Sequence, residues 1–122
     1  MESATWVFLW LSTVQAGTPL LLAALGELVC ERAGVLNLGL EGMILMGAVA
    51  GFAACLMSGL LWVGAAAAAG AGMAMAAVFA GLALTLRANQ VATGLALPLF
   101  GVGLSAFVGR DLVGIPLAGF TP

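Results

Sequence analysis

Long apolar runs joined by short polar or glycine-rich links make up nearly all of the chain. The first runs from Ala4 to Cys30 around Gly17-Thr18-Pro19, the second from Leu38 to Leu61, the third from Leu61 to Leu86 and the fourth from Val91 to Gly109. About 20 apolar residues in helix cross the hydrocarbon of a bilayer. The pattern therefore predicts an all-α integral membrane protein of about four transmembrane helices, forming a single transmembrane domain over residues 1–122. Cut at Pro19, the first run would give a leading piece too short to cross. It reads instead as one spanning helix kinked near Pro19, where the ring removes an i→i−4 hydrogen bond that neighbouring helices can replace. Ser58-Gly59 marks the turn between the second and third runs, and Arg87 to Gln90 the polar link before the fourth. Pro98 predicts a kink within the fourth run, Arg110-Asp111 its end, and the closing LVGIPLAGFTP a loop or re-entrant piece.

The pattern is least regular between Gly26 and Gly51, where GELVCERAGVLNLGLEGMILMGAVAG carries Glu27, Glu31, Arg32 and Glu41, half of the chain's three basic and five acidic residues. A charge at membrane depth costs a few kcal/mol on insertion scales, so such residues face a protein interior or a watery path. Gly34, Gly39 and Gly42 around Asn37 predict a glycine-rich helix break at residues 32–39. Non-helical backbone persists at that depth only where protein or water satisfies its freed N–H and C=O groups. Further on, Gly47 and Gly51 form a small-xxx-small pair suited to close approach of another helix. The alanine-rich AAAAAGAGMAMAA of the third run has the same character.

Composition agrees: 64% of residues are hydrophobic and 7% charged, against about a quarter charged in soluble domains. A net charge of −2 without a basic cluster gives nucleic acid no electrostatic foothold. The chain contains neither His nor Lys. That excludes a P-loop, the usual zinc sites and a Ser-His-Asp triad, so no metal, cofactor or catalytic set is expected. Cys30 and Cys55 read as free thiols in apolar surroundings. Met-Glu-Ser-Ala-Thr lacks the basic start of a signal peptide, so the first helix is expected to be retained. Two spans separate Arg32 from Arg87, which puts them on one side and Arg110 on the other. The bias of arginine toward cytoplasmic loops then favours a cytoplasmic location for the first two. Trp6 and Trp10, one helical turn apart, suit an interfacial anchor.

Two stretches, TPLLLAALGELVCERAGVLNLGLEGMILMGA and LRANQVATGLAL, resemble the inner-membrane permease subunits of ABC importers for nucleosides and simple sugars, relatives of the ribose and branched-chain amino acid permeases. The resemblance covers essentially the whole chain. Family members are much longer, so it implies an N-terminal portion of a multi-pass permease in a bacterial plasma membrane. It also implies a second permease subunit, separate ABC ATPase subunits that hydrolyse ATP, an extracytoplasmic substrate-binding lipoprotein and a small-molecule substrate, with membrane lipid around the helices.

The candidate pathway residues are Glu27, Glu31, Asn37, Glu41, Asn89 and Thr93; those marking helix breaks or close packing are Pro19, Gly34, Gly39, Gly42, Gly47, Gly51 and Pro98. Each pathway candidate has a plainer structural reading. Glu27 and Glu31 share a helix face and repel; they either belong to an ion-pair network at a helix end or line the route. Asn37 is expected to cap the second helix, with Glu41 placed against the helix dipole. Asn89, with Gln90 and Thr93, heads the fourth. Polar but nearly uncharged lining groups suit hydroxyl-rich neutral cargo. A branched-chain amino acid cargo, and a structural membrane protein that transports nothing, are the competing readings.

Overall fold

A computed structural model describes residues 1–117 and resolves the chain into two units, residues 1–36 and the remainder from Asn37. Unit one is a single helix, α1 (Glu2–Arg32), continuous through Pro19. Just before the proline, the Thr18 hydroxyl donates to the Val14 carbonyl at 2.7 Å. Apolar side chains are spread around α1 and none of its residues is buried. It ends where expected. Ala33 N–H donates to the Val29 and Cys30 carbonyls, Gly34 takes φ +80°, and Val35 N–H returns to Cys30 O at 3.0 Å. Glycine adopts that left-handed conformation without the Cβ penalty other residues pay.

Unit two is built on α2 (Leu40–Ser58), α3 (Leu61–Ala80) and α4 (Gln90–Gly109). Helix α2 stops at Gly59, whose φ of +69° closes a left-handed C-cap with its N–H on Cys55 O at 2.8 Å. The Ser58 hydroxyl donates to Ala54 O and accepts Leu60 N–H, so Ser58-Gly59 is the tight turn the sequence indicates. Helix α3 then runs back along α2, pairing Gly47 with Ala68 and Gly51 with Gly64. Helix α4 packs on α2 and meets α3 only lightly, so α2 is the central element. With α1, these are four helices long and apolar enough to cross a membrane, and the described residues contain no strand.

One departure from the sequence reading concerns a helix end. The third run does not finish as α-helix: Gly81–Thr85 is a turn of π-helix, with Leu86 N–H on Gly81 O, followed by Ala88 N–H on Leu82 O. Arg87 between them takes φ +52°, a conformation usually left to glycine. The fourth run ends in a 3₁₀ turn, Arg110–Leu112, where Arg110 Nε lies 3.6 Å from Asp111 Oδ1 with both side chains exposed, a pairing of small energetic weight. Within the expected tail, Val113 and Gly114 form a turn and residues 115–117 are irregular; residues 118–122 lie outside the described part.

Buried side chains are few. They include Met43, Cys55, Met75, Phe79, Ala83 and Leu97, together with the polar residues Asn37 and Ser105.

Candidate functional site

The segment from Asn37 to Gly42 lies directly on the middle of α4. Glycine makes this possible. A Cβ on Gly39 would come within 2.6 Å of Leu97 Cδ2, and one on Gly42 within 2.6 Å of Leu97 O and 3.1 Å of Pro98 Cα. On α4 the complementary positions are Gly94, where a Cβ would meet Leu38 Cβ at 2.8 Å, and Gly101, where it would meet Gly42 Cα at 2.6 Å. Gly94, Leu97, Gly101 and Ser105 are the buried residues of α4, and their spacing of three or four draws one stripe down the helix.

Asn37 organises the approach to α2, though not as its N-cap. The cap position is Gly39, with φ −86° and no side-chain cap bond. Asn37 sits two residues earlier and is 6% exposed. Its Oδ1 accepts Gly39 N–H at 3.0 Å, and its Nδ2 lies 3.6 Å from Met43 Sδ. The side chain thus closes an Asx turn. The cap falls at Gly39, where the chain passes Leu97 and a Cβ would have to displace the Leu97 side chain. Glu41 falls in the first turn of α2 as expected and is exposed, where the helix dipole favours a carboxylate.

Asn89 caps α4 as the sequence indicates. Its Oδ1 accepts Val91 N–H at 2.9 Å and Ala92 N–H at 3.1 Å, satisfying two donors the helix start leaves orphaned. Thr93, one turn on, is half-buried, next to Gly94. Pro98 sits inside an uninterrupted α4. Lacking an N–H, it deprives the Gly94 carbonyl of its helical partner at the level where Leu38 crosses.

The structure therefore brings Asn37, Gly39 and Gly42 together with Pro98, and sets Gly47 and Gly51 against α3. Glu27, half-buried, and Glu31, exposed, lie one turn apart on α1 in the other unit, which also holds Pro19 within α1 and Gly34 just after its end. The sequence reading missed Ser105, 8% exposed, whose hydroxyl back-bonds to Val102 O at 3.1 Å. A serine one turn beyond a helix glycine was the available signal.

Residues 9–117 match a protein family described as the permease component of a branched-chain amino acid transport system. The chain belongs to that family. This permease segment is 51% identical over 109 residues to a putative glucose ABC transporter permease of Haloferax volcanii, covering 89% of this chain and 33% of the relative. It is 32% identical over 109 residues to a guanosine ABC transporter permease of Bacillus subtilis, covering 84% of this chain and 34% of that protein. The chain thus spans about a third of the length of these curated relatives. No solved structure matches it. Family membership and four membrane-length helices make it a multi-pass membrane protein.

Proposed function

We propose that this chain forms part of the substrate path of an ABC importer for neutral, hydroxyl-rich cargo, a simple sugar or a nucleoside. The observation that carries this is the match of most of the chain to two permeases named for a sugar and a nucleoside. The geometry is compatible with it. The polar groups in the Asn37–Gly42 and Asn89–Thr93 segments are amides, a hydroxyl and one carboxylate. A hydrogen-bonding site of that kind discriminates against analogues lacking the matching groups.

In this reading the polar candidates divide by task. Asn37 and Asn89 commit their side-chain oxygens to backbone N–H groups, so they shape the path. Glu41 and Thr93, together with Glu27 and Glu31 on α1, face cargo or gate its passage. The partners are a second permease subunit, two ATPase subunits that supply the hydrolysis, and an extracytoplasmic binding protein that delivers cargo. The Arg32 and Arg87 ends are cytoplasmic, following the arginine bias. The family's description favours one rival cargo, a branched-chain amino acid.

Uptake of labelled glucose, guanosine and leucine by cells expressing the intact gene with its partner subunits separates these readings. Uptake of glucose or guanosine that excess leucine leaves unchanged supports the proposal; uptake of leucine alone overturns it. Glu41→Gln should lower uptake while leaving the amount of inserted protein unchanged, and normal uptake would remove Glu41 from the path.

A further inference from the structure

Proline and glycine inside membrane helices invite a reading as hinges, and α2 and α4 bring several glycines and Pro98 to their crossing. The contacts argue the reverse. An ideal Cβ on Gly101 would lie 2.6 Å from Gly42 Cα and 2.9 Å from Gly42 O. On Gly94 it would lie 3.0 Å from Leu38 N and 3.2 Å from Leu38 Cα. In ordinary helix pairs, axes 8–10 Å apart leave side chains room to change rotamer as the helices shift. Here backbone rests on backbone, with no rotamer to adjust.

Gly94 and Gly101 are two turns apart, about 10 Å along α4. Gly101 rests on Gly42 of α2 and Gly94 on Leu38 in the turn that leads into α2, and together the two contacts oppose sliding and rotation of α4 on α2 and its lead-in. Between them Leu97, 4% exposed, occupies the space vacated at Gly39 and Gly42, while Asn37 fixes the turn that leads in. Lower down, a Cβ on Gly109 would touch Val49 at 3.5 Å. Bending α4 at Pro98 would have to separate at least one of these levels.

We propose that α2 and α4 move as one rigid body throughout the working cycle, with Pro98 serving as a packing notch instead of a hinge. This rests on the reading of the chain as part of a permease, so the test must separate the two. Cys30 and Cys55 are replaced by alanine, and Val49→Cys with Gly109→Cys supplies facing thiols, since a Cβ on Gly109 would lie 3.5 and 3.8 Å from the Val49 methyls. The intact transporter with its partner subunits is oxidised with copper phenanthroline.

Cross-linking should go to completion equally without nucleotide, with ATP and with a non-hydrolysable analogue, and the cross-linked protein should take up cargo within twofold of its reduced form. Nucleotide-dependent resistance to cross-linking, or a tenfold loss of uptake restored by reductant, would overturn the inference. If the reduced protein takes up no cargo, the transport reading fails, and cross-link yield against nucleotide still decides the rigid-body claim. As a second measurement that tolerates the loss of the cysteine pair, spin labels at exposed Ile44 and Leu99 should give one inter-label distance unchanged by nucleotide. A second or shifted distance counts against it.

Discussion

The sharpest consequence of the α2–α4 crossing is the cost of adding one methyl group at Gly101. A carbon–carbon contact settles at about 3.5–4.0 Å, whereas the new Cβ would start 2.6 Å from Gly42 Cα. Both neighbours are backbone, so relief requires the helices to part by about 1 Å locally. Overpacking of this kind costs about 1–3 kcal/mol. The gain in helix propensity from glycine to alanine, about 1 kcal/mol, offsets part of it. Gly101→Ala should therefore destabilise by about 0–2 kcal/mol. Gly103→Ala is the matched control in the same helix, with no atom within 4 Å of its Cβ. It collects the propensity term alone and should be neutral or more stable by up to about 1 kcal/mol. Thermal unfolding of the purified protein in a single detergent, followed by circular dichroism, reads the contrast. Equal midpoints for the two variants, or a higher one for Gly101→Ala, would refute the close-contact argument.

Other substitutions probe separate features. Asn89→Ala removes the cap of α4 and should cost about 1 kcal/mol in the same unfolding assay, with Asn89→Asp restoring most of it. Gly64→Ala places a Cβ 2.8 Å from Gly51 O and, after the same propensity offset, should destabilise by about 0–2 kcal/mol, whereas Gly70→Ala, open within 4 Å, should not. Gly59→Ala meets no atom but must hold φ +69°, so its penalty of about 1–2 kcal/mol is purely conformational; an unchanged midpoint would show that the turn relaxes. Arg87→Gly relieves the left-handed strain at φ +52° and should leave stability equal or slightly higher, since greater freedom of the unfolded chain offsets part of the gain.

The elements were legible because apolar runs of membrane length admit few structures once backbone hydrogen bonds must be satisfied internally. Local chemistry supplied the Ser58-Gly59 turn, the Asn89 cap and the end of α1 before Gly34, because each depends on residues within a turn of one another. Asn37 shows the limit. Capping propensity favoured it, but the cap falls at Gly39, packed against Leu97 far along the chain on α4, and Asn37 instead closes the turn before it. Gly42 was recognisable as special, yet its partner Gly101 is fixed by tertiary packing and has no local signature. The π-turn was equally silent, since GLALT carries no residue that departs from ordinary membrane-helix composition. Of the pathway candidates, residues with local backbone roles could be placed from sequence. Which of Glu27, Glu31, Glu41 and Thr93 meets cargo depends on surfaces that no spacing rule encodes.

The π-turn at the end of α3 has a bearing on how such chains can change length. A π-turn is an α-helix that has absorbed one additional residue within a single turn, leaving its neighbours in register. At Gly81–Thr85 the surplus is taken up just before the link to α4, beyond the stretch where Gly64 and Ala68 of α3 face Gly51 and Gly47 of α2. Length variation of one residue can thus be tolerated there while the paired stretch keeps its phase, whereas the same insertion near Gly64 or Ala68 would turn every later small residue away from its neighbour.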